Sequence, residues 1–86
     1  MNTNTMEYMI MIAKEQSISL AAEKLYLSQP VLSKHLKNVE KELGTPIFYR
    51  NHSGVELTDA GKIFINNAKT VLYLKEQLEK ELGAPL

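Results

Sequence analysis

The chain has no cysteine, no net charge and no long apolar run, and each absence narrows what it can be. Without cysteine there are no disulfides, no thiolate chemistry and no thiolate zinc site, which suits a cytoplasmic protein. The apolar stretch near the start, Met9 to Ala13, is too short to span a bilayer. It also lacks the basic flank and small-residue cleavage site of an export signal, so the expectation is no membrane partner. No internal repeat, linker or low-complexity tract divides the chain. Its 86 residues then make one domain, hiding roughly 60% of the surface an unfolded chain would expose. Apolar residues at 44% and charged residues at 23% are globular proportions rather than those of a disordered chain.

Zero net charge argues at first against nucleic acid, because proteins held by phosphate contacts are usually basic. Distribution matters more than the sum. Between residues 28 and 53, Lys34, Lys37, Lys41 and Arg50 stand against Glu40 and Glu42, a surplus of two positive charges. The segments on either side are each acidic by one charge, and both histidines, His35 and His52, fall inside the basic window.

Met6, Met9, Ile10 and Ala13 recur at helical spacing and predict a first helix over about 4–16. The methionines read as core filling rather than as a promiscuous binding surface, since a thioether adapts to gaps between helices. Ser19 is the expected cap of a short second helix over about 20–26, where Ala21 and Ala22 allow close approach of a neighbour. Ser28 caps the third helix, Pro30 sits in its first turn where a missing N–H does no harm, and Gly44 and Pro46 end it after Leu43. Short helix, tight turn and longer helix make a helix-turn-helix.

Ile47-Phe48-Tyr49 and Val55-Glu56-Leu57 flank a polar, Gly-ended tip and predict a hairpin, the wing, within 46–57. Thr58 caps a fourth helix with Asp59 in its first turn, and Gly83 and Pro85 stop it after Leu82. The expected fold is mainly α: a winged helix-turn-helix with a three-helix core and a small β-hairpin wing. It spans 1–58 and continues into a long linker or dimerisation helix over 59–86.

Function is most legible in the third helix. At about 100° per residue, Leu32, Leu36, Val39 and Leu43 fall in one arc that must face the core, and Pro30, Lys34, Lys37 and Lys41 point the opposite way. Gln29 and Ser33 lie on one shoulder near the N-terminal end. A major-groove helix needs this arrangement, because its N-terminal residues reach base edges. Gln29 can pair with adenine, Ser33 can donate or accept, and Lys34 can reach guanine acceptors or a phosphate. The helix N-terminus favours a phosphate too, helped by the Ser28 hydroxyl. Alone, the lysine face reads equally well as a solvated surface; the preceding helix, the turn and the wing tip the balance.

The residues Ser17-Ile18-Ser19-Leu20-Ala21-Ala22-Glu23-Lys24-Leu25 and Leu27-Ser28-Gln29-Pro30-Val31-Leu32-Ser33-Lys34 resemble the helix-turn-helix of LysR-type transcriptional regulators. Leu36, Val39-Glu40, Glu42-Leu43-Gly44, Phe48, Arg50 and Leu57-Thr58-Asp59-Ala60-Gly61 continue the pattern at the same spacing, over nearly the whole chain. The resemblance implies control of transcription by a dimer bound to interrupted inverted repeats in duplex DNA. It implies groove reading by Gln29, Pro30, Ser33 and Lys34, and phosphate contacts from Ser28 and Arg50. Lys37, Lys41 and His52 complete the expected phosphate and wing contacts. Two departures stand out. Lys34 occupies a position usually held by arginine and lacks the bidentate fork. Ser53 and Glu56 replace common basic residues at the wing, leaving His52 as the nearby substitute, so the wing is expected to grip DNA weakly unless Glu56 faces away.

Along the fourth helix, Phe64, Ala68, Val71, Leu74, Leu78 and Leu82 form an apolar stripe widened by Ile63, Ile65 and Leu72. Its first turns can pack on the domain; beyond about residue 70 so small a domain cannot cover it, and an uncovered stripe marks an interface. Val71, Leu74, Leu78 and Leu82 are the expected homodimer contacts, with docking onto a missing part of the same protein as the alternative. The resemblance implies a small-molecule effector acting only through a larger C-terminal domain absent from this chain. The chain therefore reads as an excised DNA-binding domain rather than a naturally short relative.

Enzymatic readings fare badly. His35 and His52 lack ligand spacing, so no metal is expected, and the serines are explained by caps and DNA contacts. Gly54 to Gly61-Lys62 has the wrong spacing for a phosphate-binding loop, and Ile63 stands where Ser or Thr is required. No cofactor is expected. The rival from another class is a winged helix kept for protein–protein assembly with little or no DNA binding.

Overall fold

The computed structural model describes residues 1–86 as four helices and one hairpin, in the order α1 (Thr3–Glu15), α2 (Ile18–Lys24), α3 (Gln29–Leu43), β1 (Phe48–Asn51), β2 (Gly54–Leu57) and α4 (Asp59–Leu82). This is a winged helix-turn-helix. Each helix starts on a side-chain cap that satisfies a free backbone donor: Asn2 accepts from Thr5 N, Ser28 from Val31 N and Thr58 from Gly61 N. Gly44 and Gly83 close α3 and α4 in the left-handed conformation, as the sequence reading expected.

The cap of α2 differs from expectation. Ser17, not Ser19, accepts from Leu20 N, and the helix begins at Ile18. Starting there puts Ile18 in phase with Ala21 and Ala22, and all three are buried. A start after Ser19 would have stranded Ile18 outside the helix. The far end also comes early. Leu25 is the C-cap, and Tyr26 turns left-handed at φ 57° to send the chain into α3.

Every element contributes to the core. Met9 and Ile12 from α1 and Leu32 from α3 are fully buried beside Ala21, and Ile47, Phe48 and Val55 close the wing side. Met9 is thus core filling. His35 of α3 meets Tyr8 of α1 edge to face at a centroid separation of 5.1 Å. Leu43 departs from the expected seam. It is 42% exposed at the last turn of α3 and lines an apolar groove with Met6, Ala60 and Phe64.

Four close contacts dock the wing onto the end of α1 and the start of α4 onto the wing root. Val55 N donates to the carbonyl of Gln16, the left-handed residue ending α1. Thr58 Oγ1 donates to Pro46 O at 2.8 Å, and its N–H donates to Ile47 O at 3.1 Å. Gly61 passes so near Ile47 that a Cβ placed on it would lie 1.9 Å from that carbonyl oxygen. From there α4 runs 24 residues, about 36 Å at 1.5 Å per residue. It buries Ile65 and Ala68 and half-buries Phe64, and the stripe is uncovered from Val71 onward, as expected; the flanking Ile63 is also 66% exposed.

Candidate nucleic-acid interface

The third helix sorts its side chains largely as its periodicity requires. Leu32, Leu36 and Val39 are buried, while Pro30, Lys34, Lys37 and Lys41 are exposed. Ser28 accepts from Val31 N at 3.3 Å, so its hydroxyl proton remains free to donate outward at the helix N-terminus. Gln29 and Ser33, one turn apart, are joined: Gln29 Nε2 donates to Ser33 Oγ at 2.8 Å. That bond orients the glutamine and leaves its Oε1 and second N–H available.

The two strands of the wing pair with Phe48 opposite Leu57, Tyr49 opposite Glu56, Arg50 opposite Val55 and Asn51 opposite Gly54. Arg50 and Asn51 therefore belong to a strand, and only His52 and Ser53 form the tip. Asn51 Oδ1 accepts from Ser53 N at 2.8 Å and tightens that turn. Successive strand residues face opposite sides, so Arg50 shares the face of Phe48 and Val55, which looks toward α3. It lines a cleft of about 580 Å³ with Pro30, Ser33, Lys34 and Lys37. Arg50 also borders a second, polar cleft of about 360 Å³ with Ser17, Ser19, Gln29 and His52. The structure therefore brings Pro30, Ser33, Lys34, Lys37 and Arg50 together, and sets Gln29 and His52 next door. Lys41 lies about a turn beyond Lys37 and outside the cleft, and Ser28 stands exposed at the helix start.

Two acidic residues that looked unfavourable are accounted for. Glu56 lies on the face away from the cleft, where its carboxylate accepts the Tyr49 hydroxyl directly opposite. That hydrogen bond, and the carboxylate charge behind it, push the Tyr49 phenol above its ordinary range. Glu40 does border the cleft, but its Oε2 accepts the backbone N–H groups of Ile47 at 2.7 Å and Phe48 at 3.3 Å. It ties the recognition helix to the root of the wing. Sequence reasoning counted Glu40 only as a charge.

Lys34, Lys37 and Arg50 take part in no ion pair; the side-chain ion pairs of the fold all lie along α4. Three free cations around one cleft form a surface that a polyanion can neutralise. On α4, Val71, Leu74, Leu78 and Leu82 are 40%, 59%, 43% and 63% exposed. No helix is long and apolar enough to cross a membrane.

Recognition helix, wing and trailing helix define a winged helix-turn-helix regulator module. The chain belongs to the lysR family of bacterial regulatory helix-turn-helix proteins, whose family pattern matches residues 3–62. It is 40% identical over 82 residues to the uncharacterized HTH-type transcriptional regulator YcgK of Bacillus subtilis (strain 168), covering 95% of this chain and 25% of YcgK. It is 42% identical over 84 residues to the HTH-type transcriptional regulator BudR of Klebsiella aerogenes, covering 96% of this chain and 59% of BudR. The chain thus spans about a quarter and under two thirds of these relatives. Among solved structures, the DNA complex of the CbnR DNA-binding domain superposes with a TM-score of 0.90 at 31% identity, covering 94% of this chain and 93% of that one. The complex of the BenM DNA-binding domain with benA site 1 DNA gives 0.91 at 31% identity, covering 96% and 93%.

Proposed function

We propose that the chain binds duplex DNA sequence-specifically as the reading head of a bacterial LysR-type transcription regulator. On this reading α3 enters the major groove, the wing lies beside the minor groove, and two copies paired through α4 engage an inverted repeat. Residues 1–58 form the reading unit and residues 59–86 the pairing helix. The observation that carries this is the cleft between α3 and β1, where Lys34, Lys37 and Arg50 converge in no ion pair and the one acidic residue of the lining, Glu40, is held by the backbone N–H groups of Ile47 and Phe48. Gln29, Pro30 and Ser33 edge the same surface at the helix N-terminus, the end that reaches base edges in helix-turn-helix proteins. With Glu56 turned away, Arg50 supplies the positive charge that the wing tip lacks. The uncovered Val71, Leu74, Leu78 and Leu82 supply the pairing surface. The CbnR and BenM domains, solved with DNA, support the reading by likeness.

Fluorescence anisotropy with inverted-repeat duplexes tests it. Affinity should fall steeply between low and physiological salt as counterions are released, and Lys34→Ala should reduce both the affinity and the salt slope, the latter by about one unit. Absence of salt-sensitive binding at micromolar protein would overturn DNA binding and leave a protein–protein assembly module.

A further inference from the structure

Gln29 opens α3 and Ser33 follows four residues on, so the two side chains are neighbours on one side of the helix. Both are half-buried, on the shoulder that looks toward the wing. Gln29 Nε2 donates to Ser33 Oγ at 2.8 Å, and the glutamine side chain makes no other hydrogen bond within the chain. Arg50, which borders the clefts on either side of this pair, carries donors only and cannot take the Gln29 N–H from Ser33. A primary amide has two N–H donors and one carbonyl acceptor. With one N–H held by Ser33, Gln29 has one N–H and Oε1 left to present to a base.

That remainder distinguishes the purines. In the major groove adenine offers the N7 acceptor beside the N6 donor, which one N–H and one carbonyl oxygen match. Guanine offers two acceptors, N7 and O6. Pairing with both takes two donors, and a tethered Gln29 would set Oε1 against O6, lone pair against lone pair. An amide free to turn escapes that clash by presenting both N–H groups. The hydrogen bond to Ser33 denies it the turn.

We propose that Ser33 is a positioning residue, which holds one Gln29 N–H and thereby makes the glutamine select adenine and exclude guanine at the base it reads. The proposal rests on the reading that α3 enters the major groove. It gives Ser33 a part played through Gln29 rather than on a base of its own, so the pair acts as one reading unit. Removing the hydroxyl leaves the glutamine in place but lets its amide turn. Alanine is also the better helix former, so the substitution does not weaken α3.

Fluorescence anisotropy tests this with duplexes selected by the parent chain, carrying adenine or guanine in turn at each purine position of both half-sites. At the position that Gln29→Ala makes indifferent, the parent should prefer adenine to guanine by at least about tenfold. Ser33→Ala should shrink that preference to within about threefold, and Ser33→Thr, which keeps the oxygen, should retain it. The salt slope should stay as in the parent, because no charge is removed. In a Gln29→Ala background, Ser33→Ala should change nothing further. A parent that prefers guanine there, or treats the two purines alike, overturns the proposal. So does a Ser33→Ala variant that keeps the full adenine preference or loses selectivity at a second position instead. Each of those results leaves salt-sensitive binding, and with it the DNA reading, intact. Absence of salt-sensitive binding by the parent overturns that reading and this proposal together.

Discussion

Glu40 of α3 accepts the backbone N–H of Ile47 through Oε2 at 2.7 Å, and this contact fixes where the wing leaves the recognition helix. The same oxygen takes Phe48 N at 3.3 Å, so one carboxylate satisfies two donors that no strand or helix can reach. Glu40→Ala leaves both unpaired. It should destabilise the domain by about 1–3 kcal/mol, read by urea denaturation. Because the Arg50 side of the cleft depends on wing position, DNA affinity should fall even at temperatures where the variant stays folded.

Gly61 tests the other side of the wing root. A methyl group there would meet the Ile47 carbonyl at a separation no native contact shows, and the opposing atom is backbone rather than a flexible side chain. Gly61→Ala should therefore cost at least about 2 kcal/mol despite the better helix propensity of alanine. Thermal unfolding measures this, and a variant as stable as the parent would contradict the packing described.

Tyr26 offers the opposite sign. It is 96% exposed, packs on nothing and holds φ at 57° in the helix-turn-helix turn. Left-handed backbone costs an ordinary L-residue about 1–2 kcal/mol, whereas asparagine tolerates it. Tyr26→Asn should raise stability by about 0.5–1 kcal/mol in denaturant titrations.

The Tyr49–Glu56 pair gives a pH signature. Its hydrogen bond and charge raise the tyrosine pKa in the folded state above the ordinary value of about 10. A group whose folded pKa is raised contributes stability that is complete below the unfolded pKa and disappears as pH climbs through the folded one. Stability should therefore drop in the alkaline range above about pH 10. Tyr49→Phe should remove that part of the drop by lacking the contribution at neutral pH already, so its stability starts lower and falls less in the alkaline range. The difference between ultraviolet absorbance titrations of the parent chain and Tyr49→Phe follows the same event among the four tyrosines.

The long helices were legible because their punctuation is unambiguous. Ser28, Pro30 and Gly44 each have one structural use, and they bracket α3 to the residue. The start of α2 was not, because Ser17 and Ser19 can both cap. Only the burial of Ile18 with Ala21 and Ala22 decides between them, and burial is a tertiary fact. Leu43 was misassigned for a related reason. Its angular position matches the core face, but the domain ends before it, so it lines the groove beside α4. The cleft was half visible: periodicity placed Lys34 and Lys37 outward, while the register that turns Arg50 toward them and Glu56 away needed the pairing of β1 with β2. The role of Glu40 depended on a backbone contact seven residues away, which no local pattern announces.

Selection of bound sites from a random duplex pool, with the parent chain and Gln29→Ala compared in parallel, reads base preference, spacing and symmetry together. The parent chain should enrich an inverted repeat at one spacing, and Gln29→Ala should change preference at a single base position in each half-site by about 1–3 kcal/mol. A pool left unenriched by the parent chain, or an identical motif from Gln29→Ala, would contradict sequence-specific reading by α3.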